Sequence, residues 1–235
     1  MEPLDTFASP TASRPMLGLT VLVVEDSLYA SEALRLLCLR SGARIRRADC
    51  LKSARRHLQV YRPSVAVVDL GLPDGSGAEL IVELTRGGAK LGVVAAMSGD
   101  SGAEETAREA GAQCFFAKPL TSLAAFQAEI LSHMPQEYRL SGPRALPSDP
   151  IEPDPVAYKD DMAHAAELLQ EASDADMLAY LGQFLRGVAH CAGDDELVDA
   201  AEALEALRGK GPPLRSELAR LAGLLQQRIG QRMAI

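Results

Sequence analysis

Residues 21–27 read VLVVEDS and residues 67–77 read VVDLGLPDGSG. Each stretch begins with consecutive aliphatic residues and then reaches carboxylates, and neither alternates apolar with polar side chains. Continuous apolar runs of this kind are typical of strands that other elements cover on both faces. The two stretches therefore predict buried parallel strands that carry acidic residues at their carboxyl ends.

Similar apolar runs alternate with helix-like stretches from Leu19 to about Met134. The expected strands cover residues 20–24, 43–47, 65–69, 92–97 and 113–117, and the expected helices cover residues 28–41, 52–60, 76–86, 103–110 and 121–132. Five strand–helix units in succession predict an α/β doubly wound fold with a five-stranded parallel sheet.

The chain divides into four parts along its length. Residues 1–16 mix Pro, Ser, Thr and Ala without periodicity and predict a flexible tail, which precedes a domain over residues 17–134. Six of the 14 prolines fall within residues 135–155 and predict a semi-extended linker. Residues 156–235 contain no plausible strand and predict an all-α helical bundle. Its helices are expected at about residues 157–172, 175–191, 194–208 and 213–232.

The composition is that of a globular protein of one or two domains, with 47% hydrophobic and 24% charged residues. The four cysteines lie far apart without a CxxC pair, which argues against a metal cluster or a redox motif. No apolar run reaches the length of a membrane span, and the first residues are polar and acidic. We therefore expect neither membrane insertion nor secretion and assign the protein to the cytoplasm.

Charge is distributed unevenly along the chain. The net charge of −8 does not suit bulk binding to a nucleic-acid backbone. Residues 35–62 nevertheless hold nine arginines and lysines against one acidic residue, Asp49. This basic stretch predicts either a solvated face or a surface for a protein partner, and nucleic acid is the third alternative.

Polar residues of the predicted sheet fall at the carboxyl ends of strands, where open α/β sheets place their functional residues. Glu25 and Asp26 end the first expected strand, and Asp69 ends the third. Three carboxylates in one pocket repel one another, so either their pKa values rise or a cation lies among them. Carboxylate oxygens with open positions favour Mg²⁺. Ser98 and Lys118, at the ends of the fourth and fifth strands, add a hydrogen-bond donor and a positive charge suited to a phosphoryl group.

This constellation resembles the receiver domain of bacterial two-component response regulators, a CheY-like, flavodoxin-like fold, over about residues 18–134. The resemblance is carried by VLVVEDS at 21–27, VVDLGLPDGSG at 67–77, MSG at 97–99 and FFAKP at 115–119. It implies that Asp69 is the phosphoacceptor, which attacks phosphorus to form an acyl phosphate. It also implies that Glu25, Asp26, Asp69 and the main-chain carbonyl of Gly71 hold Mg²⁺.

The resemblance further implies that Ser98 binds a phosphoryl oxygen, that Lys118 pairs with the phosphate, and that the Lys118-Pro119 peptide bond is cis. In the family an aromatic residue three positions before this lysine rotates inward on activation, and Phe115 occupies that position. Phe115 lacks the hydroxyl group of a tyrosine, so we expect it either to favour the inward rotamer or to be an ordinary core residue. The expected phosphodonor is a sensor histidine kinase or a phosphotransfer protein.

Part of the helical domain resembles histidine phosphotransfer domains, which are four-helix bundles with a phosphorylated histidine. In that family a Lys-Gly step follows the histidine by three and four residues, and a later glycine closes the motif. Residues 183–193 read QFLRGVAHCAG, so Arg186-Gly187 matches the step and Gly193 matches the closing glycine. Gln183 stands where the histidine would be, and an amide cannot carry a phosphoryl group. The alternative is an ordinary antiparallel bundle without this ancestry.

Two interpretations of the output follow. The first is a response regulator of a phosphorelay that accepts a phosphoryl group on Asp69 with Mg²⁺. It would signal through a helical protein-interaction or dimerisation domain, so a homodimer is one expected assembly. The alternative is a DNA-binding transcriptional regulator with an atypical helical output domain. Its candidate DNA contacts are the arginines of the last helix, Arg215, Arg220, Arg228 and Arg232.

The last helix carries apolar residues at every third or fourth position, as on a stripe that faces a bundle. We therefore do not expect nucleic acid as a partner. No motif for an enzymatic output is visible in residues 156–235, and the expected catalysis is limited to phosphorylation and dephosphorylation of the receiver itself.

Overall fold

The computed structural model describes residues 10–87, 91–138, 151–172, 174–206 and 211–231. In this part of the chain the strands are β1 (Thr20–Val24), β2 (Arg44–Ala48), β3 (Val65–Asp69), β4 (Gly71–Leu72), β5 (Gly75–Ser76), β6 (Val93–Ser98) and β7 (Cys114–Ala117). The helices of the first domain are α1 (Leu28–Ser41), α2 (Leu51–Val60), α3 (Gly77–Arg86), α4 (Glu104–Ala110) and α5 (Leu123–His133). Those of the second domain are α6 (Pro155–Glu171), α7 (Ala175–Ala192), α8 (Asp195–Ala206) and α9 (Gly211–Gly230).

Five strands form one parallel sheet in the order β2-β1-β3-β6-β7, and β4 and β5 form a separate antiparallel hairpin. The pairing register places Val24 beside Val68, and Asp69 beside Met97. The strand order changes direction between β1 and β3, which is the place where open α/β sheets bind ligands. The predicted doubly wound α/β fold is therefore confirmed.

Two apolar cores cover the two faces of the sheet, because successive strand residues point to opposite sides. Val21 and Val23 lie in the core formed with α1 and α5, whereas Leu22 and Val24 lie in the core formed with α2, α3 and α4. Every residue of β3 is buried. This coverage on both faces explains why β1, β3 and β6 have nearly continuous apolar sequences, whereas the edge strand β2 carries arginines.

The first domain extends beyond the predicted boundaries. Met16, which the sequence analysis assigned to the tail, is fully buried in the core, and its N–H donates to the carbonyl of Ser41. Ile151, assigned to the linker, is buried in the same core, and its N–H donates to the carbonyl of Thr121. The sequence did not predict the hairpin of β4 and β5, because strands of two residues carry no periodicity. Residues 1–9 of the predicted tail and residues 139–150 of the predicted linker lie outside the described residues.

The second domain is the predicted helical bundle, in which α6 to α9 surround a separate apolar core. Asp174 caps α7 by accepting a hydrogen bond from the N–H of Met177 at 2.8 Å. Gly193 ends α7 with a φ of 67°, a left-handed conformation that favours glycine. The predicted helix breaks at these two positions are confirmed. None of the described helices combines the length and the apolar character needed to cross a membrane.

The two domains are in contact. Helices α6 and α7 pack against α1, and α7 also packs against β4 at the carboxyl end of the sheet. The contact therefore places α7 at the edge of the sheet where the acidic site is predicted.

Candidate functional site

The three predicted carboxylates meet at the carboxyl end of the sheet. Glu25 and Asp26 directly follow β1, and Asp69 is the last residue of β3. Because β1 and β3 are adjacent parallel strands, one carboxylate oxygen from each of these residues lies within 4.8 Å of the others. The N–H of Ser27 donates to Glu25 Oε1 at 3.2 Å and to Asp26 Oδ1 at 3.0 Å, which orients both side chains.

Lys118 supplies the positive charge of the site. It directly follows β7, and its peptide bond to Pro119 is cis, as predicted. Its Nζ lies 2.8 Å from Glu25 Oε2 and 3.4 Å from Asp69 Oδ2. The buried ammonium group therefore pairs with two carboxylates at once, which provides the compensation that buried charges need.

Burial and mutual repulsion shift the pKa values of these groups. Burial raises the pKa of Asp69 to about 7, while Lys118 opposes this shift and Glu25 adds to it. Burial also raises the pKa of Asp26, and the charges of Glu25 and Asp69 raise it further. Burial by itself lowers the pKa of Lys118, but Asp69 and Glu25 outweigh that effect and raise it above its ordinary value. The raised carboxyl pKa values indicate negative charge that one lysine does not fully compensate.

The donor set fits a divalent cation. Three carboxylates and one ammonium group give the site a formal charge of −2. Hard oxygen ligands in a partly hydrated pocket suit Mg²⁺. Gly71 begins β4 two residues after Asp69 and lies at the same end of the sheet. Coordination by its carbonyl stays a prediction.

Ser98 is the last residue of β6 and is buried next to the lysine. Its Oγ accepts a hydrogen bond from the N–H of Asp100 at 3.0 Å, and its carbonyl accepts one from the N–H of Lys118 at 2.9 Å. Phe115 is half-buried, and its ring packs against the core formed with α2, α3 and α4. A preference of this ring for the active state stays a prediction.

The residues that resemble a phosphotransfer motif lie beside the acidic site. The side chain of Gln183 packs over Gly71 so closely that a Cβ atom on Gly71 would lie 2.3 Å from Gln183 Nε2. Gly187 is buried beside the lysine, since a Cβ atom on Gly187 would lie 3.5 Å from Lys118 Nζ. These two residues of α7 therefore lie against Gly71 and Lys118, two of the residues of the predicted site.

Arg186 lies between the two domains. Its Nη1 lies 3.3 Å from Glu205 Oε2 on α8, and its Nη2 lies 3.9 Å from Asp100 Oδ2, which follows β6. The arginine therefore connects the bundle to the loop after Ser98.

Two polar residues that join the domains were not predicted from the sequence. Tyr180 Oη donates to Asp26 Oδ2 at 2.6 Å. Asp161, which is 2% exposed, accepts hydrogen bonds from Ser27 Oγ at 2.7 Å and from the N–H groups of Leu28 at 2.8 Å and Tyr29 at 3.0 Å. A carboxylate on the packed side of α6 was the available signal, but its partners belong to another domain and the sequence does not identify them.

Two arginines of the basic stretch over residues 35–62 form ion pairs. Arg35 pairs with Glu32, and Arg55 pairs with Glu83. A cleft of about 840 Å³ beside β2 and α2 is lined by basic side chains, namely Arg44, Arg46, Arg56, His57 and Arg62. A partner surface at this cleft stays a prediction.

Known proteins resemble the first domain of this chain. Residues 21–129 match the family described as response regulator receiver domain. The KDP operon transcriptional regulatory protein KdpE of Escherichia coli K12 is 31% identical over 99 residues, which are 42% of this chain and 44% of that protein. The transcriptional regulatory protein PhoP of Escherichia coli O157:H7 is 31% identical over 100 residues, which are 42% of this chain and 45% of that protein. The matched part of the chain thus spans less than half the length of these curated relatives.

Solved structures resemble the same half of the chain. The response regulator protein TrrA of Thermotoga maritima, in complex with Mg²⁺ and BeF, has a TM-score of 0.46 at 16% identity and covers 49% of this chain and 99% of its own. The CheY-like response regulator receiver domain of Methylobacillus flagellatus has a TM-score of 0.44 at 24% identity and covers 49% of this chain and 98% of its own.

Proposed function

Because residues 21–129 form a response regulator receiver domain, we propose that this protein is a response regulator of a two-component phosphorelay that accepts a phosphoryl group on Asp69. The observation that carries the proposal is the convergence of Asp69 with Glu25 and Asp26 on one side and Lys118 on the other. A nucleophilic carboxylate, a cation site and an ammonium group together suit attack on a phosphoryl group. The phosphodonor is a sensor histidine kinase or a phosphotransfer protein.

The reaction forms an acyl phosphate. A carboxylate oxygen of Asp69 attacks phosphorus, the bond from phosphorus to the donor atom breaks, and the donor leaves with that electron pair. Glu25, Asp26, Asp69 and the carbonyl of Gly71 would hold Mg²⁺, which when bound supplies positive charge against the phosphoryl oxygens.

Ser98 and Lys118 would hold the product. The hydroxyl group of Ser98 already accepts a hydrogen bond from the N–H of Asp100 at 3.0 Å, so its own hydrogen is left to donate to a phosphoryl oxygen. The ammonium group of Lys118 lies 3.4 Å from Asp69 Oδ2 and would pair with the phosphate that forms there. The receiver would thereby catalyse its own phosphorylation and dephosphorylation, without a separate enzymatic output.

The helical domain is, in this proposal, a phosphotransfer-like interaction domain that cannot carry phosphate itself. Support comes from Gln183 in the place of the histidine, from the Arg186-Gly187 step that follows it, and from the position of these residues against the receiver site. The amide of Gln183 can pack and form hydrogen bonds there, but it offers no nucleophile that holds a phosphoryl group.

DNA binding is the second candidate, because KdpE and PhoP are named transcriptional regulatory proteins. The contacts of α9 favour a bundle helix instead. Arg228 donates to Asp194 and Glu196, and Arg220 pairs with Glu217. Arg232 lies outside the described residues. An electrophoretic shift on DNA that weakens steeply with salt would establish this second candidate in place of the interaction domain.

The test of the first proposal uses the full chain with acetyl phosphate and Mg²⁺. We expect the intact mass to increase by one phosphoryl group, and we expect hydroxylamine to remove it, as for an acyl phosphate. Asp69→Asn should abolish the modification, whereas Asp49→Asn, which removes an exposed acid just after β2 at the same edge of the sheet, should leave it unchanged. Modification of the Asp69→Asn chain to the wild-type level would refute the assignment.

A further inference from the structure

One face of α7 contacts the receiver between Tyr180 and His190. Tyr180, Gln183, Gly187 and His190 are separated by three, four and three residues, which places them on the same side of a helix. Each of these four residues touches a residue of the acidic site or of a loop beside it. We call these four residues the docking face.

Backbone atoms of the two domains approach closely at the centre of the docking face. A Cβ atom on Gly99, the residue after Ser98, would lie 3.3 Å from the Cα of Gly187 and 3.5 Å from His190 Cδ2. A side chain on Gly187 would project toward Lys118 Nζ. The absence of side chains at both glycines therefore permits the distance at which α7 lies over the pocket.

Polar contacts hold α7 and its neighbour α6 in this position. Tyr180 Oη donates to Asp26 Oδ2 at 2.6 Å, which joins one end of the docking face to a predicted metal ligand. Asp161 on α6 accepts two hydrogen bonds from the first N–H groups of α1, those of Leu28 and Tyr29. The positive end of the α1 dipole makes this a favourable place for a carboxylate.

The proposed phosphoacceptor is almost inaccessible in this arrangement of the two domains. The side chain of Asp69 is 9% exposed and that of Lys118 is 3% exposed. A cleft of about 610 Å³ between the domains still reaches Asp26 and Tyr180, but Asp69 does not line it. Small ions can therefore approach the edge of the site, whereas a helix from a phosphodonor cannot lie where α7 lies.

We propose that α7 is an intramolecular cap on the phosphoacceptor site: its docking face occupies the place of a phosphodonor helix, and Asp69 is phosphorylated only when the helical domain has undocked. The inference rests on the proposed function of Asp69 and adds the regulation of that site by the other domain of the same chain. Gln183 is consistent with this role, because it fills the position of a donor histidine without reacting.

Two full-length variants test the cap. Gly187→Leu adds a side chain between α7 and the site, where even its Cβ atom would lie 3.5 Å from Lys118 Nζ, so the atoms beyond Cβ must displace either Lys118 or α7. Gly223→Leu adds the same side chain to α9, where nothing lies within 4 Å. Docking is measured by amide hydrogen exchange at Leu28 and Tyr29, and access is measured by the rate of Asp69 phosphorylation with acetyl phosphate and Mg²⁺. The first N–H groups of a helix have no partner within it, so these two amides report on Asp161.

We expect Gly187→Leu to lose protection of these amides and to be phosphorylated about tenfold faster than the wild type, since an added side chain in a packed contact weakens docking by about that order. Gly223→Leu should match the wild type in both measurements. If Gly187→Leu loses amide protection but is phosphorylated at the wild-type rate, the cap is overturned and the assignment of Asp69 as phosphoacceptor stands. Wild-type protection in Gly187→Leu would also overturn the cap, because it would show that the added side chain does not disturb the packing of α7 over Lys118. Absence of phosphorylation in every variant would instead refute the proposed function, and the regulatory role with it.

Discussion

Replacement of Asp161 by asparagine should weaken the contact between the two domains. The two carboxylate oxygens accept three hydrogen bonds, with Oδ1 bonded to the N–H of Leu28, and with Oδ2 bonded to the N–H of Tyr29 and to the hydroxyl of Ser27. Asparagine has one accepting oxygen, so its amide group must face at least one of these donors. A buried donor without an acceptor costs about 1–3 kcal/mol. At about 2 kcal/mol the docking equilibrium weakens about 30-fold.

The assay is amide hydrogen exchange followed by NMR. Protection of Leu28 and Tyr29 should fall about 30-fold in Asp161→Asn, in step with the docking equilibrium. Asp160→Asn is the matched control, because it removes the same charge from the preceding, exposed residue and should leave protection unchanged. The amide of Val67 in β3 should be equally protected in all chains, which would show that the receiver stays folded. Equal protection of Leu28 and Tyr29 in the two variants would refute the role assigned to Asp161.

Three further outcomes are expected. Tyr180→Phe should tighten Mg²⁺ binding about fivefold in calorimetry, because Asp26 Oδ2 then loses a donor worth about 1 kcal/mol and is available to the ion. The hydrogen bond from Arg228 holds the pKa of Asp194 below its ordinary value. The ionised Asp194 therefore stabilises the bundle above about pH 4, and this stabilisation is lost as the pH falls through the lowered pKa. The difference in Tm between the wild type and Asp194→Asn should accordingly disappear on acidification. Leu185→Ala, at a fully buried position of the bundle core, should lower the free energy of unfolding by about 2–5 kcal/mol in urea titration.

The receiver could be predicted from the sequence because its signals are local. A strand covered on both faces must be apolar at every position, so the valine runs at 21–24 and 65–68 identify β1 and β3 to the residue. Adjacent parallel strands then bring their last residues together, which places Asp69 beside Glu25 without further information. The sequence also located the four bundle helices, since Asp174, Gly193 and the proline-rich segment mark where helices start and stop.

The contact between the domains could not be predicted in this way. Tyr180 and Asp26 are 154 positions apart, and local sequence signals do not specify how two separately folded domains pack together. Likewise, the sequence around Asp161 does not indicate that its carboxylate binds the first N–H groups of α1. The arrangement of the domains depends on shape complementarity and hydrogen bonds between their folded surfaces, such as the close approach of Gly187 to Gly99. These surfaces exist only after both domains have folded.

Docking of α7 and phosphorylation of Asp69 are thermodynamically linked. If docking of α7 lowers the affinity of the site for a phosphoryl group by some factor, then phosphorylation lowers the affinity of the site for α7 by the same factor. A phosphoryl group on Asp69 needs the space and the Lys118 contact that lie directly beneath Gly187. Phosphorylation should therefore release the docking face and expose Tyr180 and Gly187. The helix that restricts access to Asp69 in the unphosphorylated chain then becomes the surface that the phosphorylated chain presents to a partner. One contact between the domains therefore both limits phosphorylation and produces the signal.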